Sequence, residues 1–225
     1  MEGSRAGRFL GSTLGLKILM AVTGVVLFGF IVGHVAGNLL VFAGPKAMDA
    51  YAKMLKDNPA LLWGARLTLL LSVIVHIGVS IRLTRLKTDA RPVGYEGKKP
   101  HGSTYASRTM MWSGPIIGLF VIYHLMHFTF GNMHPTKANF NPATVYNNVV
   151  IGFQSAPVAL VYIIAMIALG LHLSHGIWSM LQTVGVNRPH LEPALRRIAI
   201  FVSAAIMSGF IVIPLAVALK VLKVA

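Results

Sequence analysis

The chain has 225 residues, of which 55% are hydrophobic and only 12% charged, too few polar side chains to coat a water-soluble globule of this size. A formal net charge of +14 does not make it a nucleic-acid binder, because its basic residues gather in short stretches between apolar runs. With no cysteine it has no disulfide framework, no cysteine-ligated iron–sulfur cluster and no thioether attachment of a cofactor, so any redox centre must be held by histidine or methionine.

Five apolar stretches are long enough to cross a hydrocarbon layer of about 30 Å as helices rising about 1.5 Å per residue. We place them at 15–42, 60–83, 110–130, 156–181 and 198–221, which makes the whole chain, 1–225, one all-α integral membrane bundle in contact with lipid. The apolar run after the basic start is too long for a signal-peptide core and lacks a clear cleavage site, so it reads as an uncleaved first span. Arg5, Arg8 and Lys17 precede or open that span, seven basic residues lie from Arg82 to Arg108, and Arg188, Arg196 and Arg197 separate the last two spans. The positive-inside rule therefore predicts a cytoplasmic N-terminus, middle loop and fourth connection, and an external C-terminus. The connecting loops are short, the longest being 84–109 and 131–155, so substrate chemistry belongs to a partner.

Six of the nine histidines fall inside the spans: His34, His76, His124, His127, His172 and His175. Span one carries Thr23-Gly24 and then His34 ten residues after the glycine, and span three repeats this with Ser113-Gly114 and His124. Spans two and four share a second template. His76 is followed by Gly78, Ser80 and Ile81, and His172 by Ser174, Gly176 and Ile177 at the same offsets.

An imidazole inside a bilayer needs a partner. One such histidine is ordinarily a hydrogen-bonding group between helices, but four successive helices that each carry one point to bis-histidine haem ligation. Depth sets the pairing: His34 and His124 both lie roughly 10 Å below the outer surface, whereas His76 and His172 lie near the cytoplasmic side. Two haems would then sit at two levels roughly 10 Å or more apart. Gly29, Gly33 and Gly37 beside His34, and Gly114 and Gly118 on span three, would let a flat porphyrin approach the backbone, although small-residue helix packing explains them as well.

His127 and His175 each follow a proposed ligand by three residues and are rival ligands; the repeat favours His124 and His172. Hydrogen bonding is the simpler role for both. The alternatives are a quinone or haem edge for His127 and a propionate for His175. His101, His134 and His190 fall in loops, where a surface histidine is the default. Asp49, Tyr51, Lys53 and Asp57 in the first external connection, with His127, are candidates for a quinone site that needs a proton-exchanging group near water, the alternative for each being a solvated loop residue or a structural group. Arg82 and Arg108, at span ends, are candidates for propionate contacts, and positive-inside charge explains them equally well.

The runs TGVVLFGFIVGH and SGPIIGLFVIYH, the single His76, and HLSHGIWSMLQTVGV resemble the five-helix di-haem cytochrome b anchor subunit of succinate dehydrogenases and fumarate reductases. The resemblance covers most of the chain. It implies two b haems, with His34 and His124 on the distal one and His76 and His172 on the proximal one, these four being the iron ligands. It also implies a flavoprotein subunit and an iron–sulfur subunit as partners, menaquinone or a related quinone as substrate, and a bacterial cytoplasmic membrane. The chain departs from some fumarate reductases of this type at Gly170, where they have a glutamate thought to carry protons. With no acidic residue inside a span, succinate oxidation is the favoured direction. Rival readings are a di-haem anchor of the nitrate reductase or hydrogenase type and a histidine-containing transporter, which would usually show acidic or broken-helix sites at the midplane.

Overall fold

Three of the long helices begin where a short polar side chain takes up an otherwise orphaned amide. Ser12 Oγ accepts from Gly15 N, Asn58 Oδ1 from Leu61 N and Thr104 Oγ1 from Ser107 N, each at 3.1 Å. The computed structural model describes residues 8–9, 11–90, 104–137, 140–186 and 188–225. Arg5, His101 and most of the middle loop lie outside the described residues.

The helices are α1 (Thr13–Leu39), prolonged by a 3-10 turn (Leu40–Ala43), α2 (Pro45–Lys56), α3 (Pro59–Asp89), α4 (Tyr105–His124), prolonged by a π turn (Leu125–Thr129), α5 (Val145–Gln154), α6 (Ala156–Thr183) and α7 (Glu192–Ala218). No strand occurs among the described residues. Five of these helices, α1, α3, α4, α6 and α7, are long and apolar enough to cross a membrane. They fit a multi-pass membrane protein whose outward faces, with Leu67, Leu71, Leu119 and Phe201 exposed, meet lipid.

The long helices agree with the five expected spans and each overruns its span at one end or both, the fifth stopping at Ala218, short of 221. The second continues to Asp89 instead of ending near 83, because Thr84 to Asp89 contains no glycine or proline to stop it. The third begins at Tyr105 and the fifth at Glu192, where Thr104 and a Glu-Pro start provide helix-opening chemistry.

Two shorter helices occupy stretches expected to be loops. At α2, Gly44 takes φ +91°, a conformation open to glycine, and Pro45 then opens the helix at its first turn. Lys53 and Lys56 lie in its last turn, where positive charge complements the helix dipole. At α5, buried Tyr146, Val149, Val150 and Phe153 recur at helical spacing.

Antiparallel α1 and α3 form one pair, and α4 pairs with α6. The central helix α6 packs along α7, and α7 returns to α1. Small residues let the backbones approach, as lipid tails leave no hydrophobic drive between helices. A methyl group at Gly170 of α6 would come within 2.9 Å of Met207 Sδ on α7, and one at Gly209 of α7 within 2.8 Å of Val35 on α1.

At the end where α1 finishes, α2, α5 and the segment after the π turn form a cap. Its core is Val41, Met48, Val149, Val150, Phe153, Tyr162, Ile213 and Val217. The opposite end carries Arg82, Arg108, Arg188, Arg196 and Arg197 and is called here the basic end. There Arg196 sits over the Trp178 ring at 4.4 Å and pairs with Glu192 at 2.7 Å.

Gly131 ends the π turn at φ +72°, and a Cβ there would fall 2.4 Å from the Phe140 ring. Gly131→Ala should therefore destabilise the cap by roughly 1–3 kcal/mol. Thermal unfolding of the two chains in the same detergent checks this, and an unchanged midpoint would contradict the assigned strain.

Candidate functional site

Four of the intramembrane histidines meet two by two. The ring centroids of His34 and His124 are 5.8 Å apart with planes at 87°, and those of His76 and His172 are 6.3 Å apart with planes at 55°. An imidazole centroid lies about 1 Å from its outer nitrogen and an imidazole–metal bond is about 2 Å, so a metal held between two imidazoles separates the centroids by about 6 Å. Among the described residues no group of three or more His, Asp or Glu converges. Two imidazoles alone do not make a tetrahedral zinc site, but each couple could hold a metal whose other ligands a bound macrocycle would supply.

Hydroxyl groups hold three of these four rings. Thr23 Oγ1 on α1 lies 3.0 Å from His76 Nδ1 on α3, and Ser113 Oγ on α4 lies 3.4 Å from His172 Nδ1 on α6. Tyr162 Oη on α6 lies 3.2 Å from His124 Nδ1 on α4. In each case Nδ1 is engaged and Nε2 is left for another partner, the arrangement that orients a metal-binding imidazole. His34 is placed by aromatic contact instead, between Phe30 at 5.1 Å and Phe210 at 5.8 Å.

These contacts also fix the levels. His76 stands level with Thr23 and His172 with Ser113, while His34 and His124 lie eleven residues further along the same two helices. At about 1.5 Å per residue the two pairs are separated by about 16 Å along the bundle axis. The repeat thus has a structural meaning: each copy supplies one histidine of the cap-end pair and the hydroxyl that holds a histidine of the basic-end pair.

The glycines separate into two kinds. A methyl group at Gly29, Gly33, Gly78, Gly114, Gly118 or Gly176 would meet no atom of the described residues within 4 Å, so packing among this chain's own described helices does not account for them. Gly37 behaves otherwise, as a methyl group there would lie 2.7 Å from the Tyr51 ring. Flat, Cβ-free faces beside the paired histidines on α1 and α4 fit a planar macrocycle.

The rival histidines differ from each other. His175 is half-buried near the basic end. His127, placed by the π turn, is wholly buried: its Nδ1 lies 2.9 Å from Tyr162 Oη and its Nε2 has no hydrogen-bond partner among the described residues. An orphaned buried nitrogen of this kind costs about 1–3 kcal/mol. His134 corrects the expectation of a surface histidine, since it is 3% exposed, donates from Nε2 to Asn148 O at 3.0 Å and stacks on His127 at 5.3 Å. Folding of 131–155 into a loop and α5 encloses it. His190 is exposed as expected.

Arg82 and Arg108 are both exposed at the basic end. The remaining candidates have separate neighbours. Asp49 Oδ1 accepts from Tyr146 N at 2.9 Å and so caps α5, Tyr51 rests against Gly37, and Lys53 and Asp57 pair with one another in solvent. His127 is enclosed by Tyr123, Phe128, His134 and Tyr162. An apolar groove of about 350 Å³ between α1 and α3 includes Phe30, the ring stacked on His34.

Tyr162 was not visible as a site residue in the sequence. Its one signal is its position ten residues, a little under three turns, before His172 on the same helix. Comparison with family models, curated proteins and solved structures found no match, so geometry and chemistry carry the functional argument.

Asp49→Ala should lower stability by about 1 kcal/mol through loss of the α5 cap, while Asp49→Asn, which keeps an acceptor, should not. Chemical or thermal unfolding compares them. Equal stability of the Ala and wild-type chains would argue against a capping role.

Proposed function

We propose that this chain is the di-haem cytochrome b anchor of a succinate:quinone oxidoreductase, conducting electrons between an iron–sulfur subunit and membrane menaquinone or a related quinone. The observation that carries this is the pair of histidine couples, each at bis-imidazole separation, one above the other in a lipid-facing bundle.

His34 and His124 would hold one b haem and His76 and His172 the other, and the iron would supply reversible one-electron chemistry. Thr23, Ser113 and Tyr162 hold ligand rings by their inner nitrogens, which keeps the ligand geometry fixed and the imidazoles basic. The bare glycine faces leave room for macrocycle planes, and the apolar helices keep water from the pairs. Bis-histidine coordination leaves no open position, which suits electron transfer and not oxygen chemistry.

In this proposal the basic end faces the cytoplasm, in keeping with the positive-inside rule, and Arg82 and Arg108 offer charge to propionates or to an acidic partner surface. The cap end faces outward, with the quinone near the His34–His124 level. Two apolar grooves lie beside that level, one containing Phe30 between α1 and α3 and one containing Phe120 and Tyr123 between α4 and α6. A flavoprotein joined through the iron–sulfur subunit carries out the carbon chemistry. Succinate oxidation is the favoured direction, since position 170 is glycine and the expected spans contain no acidic residue.

Optical difference spectra of single replacements test the assignment. His76→Ala or His172→Ala should abolish one haem signal and His34→Ala or His124→Ala the other, while His175→Ala retains both. Loss of a haem in His175→Ala with retention in His172→Ala would reverse the ligand choice. In membranes from the native host, succinate should reduce the haem through copurifying flavin and iron–sulfur subunits. Reduction by hydrogen or formate, with succinate inert, would favour the other anchor families.

A further inference from the structure

Tyr162 is shared by two histidines, and the second is not among the proposed ligands. Its hydroxyl lies 3.2 Å from His124 Nδ1 and 2.9 Å from His127 Nδ1. A phenol has one proton, so it donates to one imidazole and accepts from the N–H of the other. If His124 binds a metal through Nε2, its own proton must be on Nδ1, and that N–H donates to Tyr162 Oη. The Tyr162 proton is then directed to His127 Nδ1, and the His127 proton rests on Nε2.

That end of the chain of bonds is closed. His127 is 0% exposed and its Nε2 has no partner among the described residues, facing Gly152 closely enough that a methyl group there would lie 3.0 Å away. Among the described residues no group lies beyond Nε2 to take a proton, and the close approach of Gly152 shuts that side, so the arrangement works as a lock and not as a relay. The ring of Tyr162 is itself fixed by edge contacts to Phe120 and Phe153, both at 4.9 Å.

We propose that Tyr162 and His127 are positioning residues that hold His124 in the tautomer with its proton on Nδ1, and so tune the metal group at the cap-end pair; this rests on the haem reading above. His127 thereby gains a role that is neither ligand nor quinone contact. Hydrogen bonding at Nδ1 makes an imidazole a stronger donor to iron and favours the oxidised state.

The test uses the full-length chain in detergent with both haems. Tyr162→Phe should keep two haems and raise the midpoint potential of the cap-end haem, with the basic-end haem unchanged. His127→Phe leaves the phenol proton without its acceptor and free to turn toward His124, so it should lower occupancy of the cap-end haem. His127→Asn, which keeps an acceptor where Nδ1 stood, should restore it. An unshifted potential in Tyr162→Phe, or equal loss in His127→Phe and His127→Asn, would overturn the proposal.

Nitrogen-15 NMR of labelled histidines in the haem-free chain, with the His124 signal identified by its loss in His124→Ala, provides a separate readout. The His124 proton should be on Nδ1 in wild type and be shared between both nitrogens in Tyr162→Phe. That NMR result in a chain that binds no haem would sink the haem reading and leave the lock standing. A wild-type His124 with its proton on Nε2 would sink the lock alone.

Discussion

An imidazole placed inside an apolar helix brings two nitrogens into a medium that can satisfy neither. Thr23, Ser113 and Tyr162 each take one nitrogen of a histidine on a neighbouring helix. These three contacts tie α1 to α3 and α4 to α6, and they settle both the rotation of each helix about its axis and its vertical register. With three of the four rings held by their inner nitrogens, their outer nitrogens are left for another partner, and the paired rings stand about 6 Å apart across the bundle. The two histidine levels follow from that, with no further adjustment of the backbone.

The bundle is uneven in how it is held together. The α6–α7 seam is well packed, with Ala165, Met166, Leu169, Leu173 and Ile206 buried at mid-height, and the cap closes one end with a second cluster. By contrast α3 buries only Ser72 and Val79, and α4 only Ser113, so most of their surfaces face outward or toward the histidine pairs. Side-chain packing fixes α6 and α7; hydroxyl–imidazole bonds do much more for α3 and α4. In the proposed function a group held by each histidine couple would add a link from α1 to α4 and from α3 to α6, beside the contacts that α1 already makes with α6 and α7.

The five long helices were legible because length and hydropathy suffice to define a span. The pairing of His34 with His124 and His76 with His172 could be proposed from depth, since a helix converts residue number into height. The internal repeat was legible as a pattern, but the purpose of Thr23 and Ser113 was not. Their hydrogen bonds run to another helix, and single-chain periodicity carries no record of which helix lies opposite. The same limit hid Tyr162, an unremarkable aromatic in an apolar run until α4 is laid against α6. The two cap helices were lost for a different reason: each is short, so loop-like Gly, Pro and Asn residues around it outweighed the helical spacing of Met48, Tyr51 and Leu55 or of Tyr146, Val149, Val150 and Phe153. His134 was misread with them, because burial in a cap cannot be seen without the cap.

The central claim is that the paired histidines carry two haems. It is tested most directly by haem extraction and quantitation on the purified wild-type chain, together with its reduced-minus-oxidised spectrum. The account predicts two non-covalent b haems per chain, both six-coordinate and low-spin. A chain that folds with all five long helices intact and yet takes up no haem when supplied with it would contradict the account.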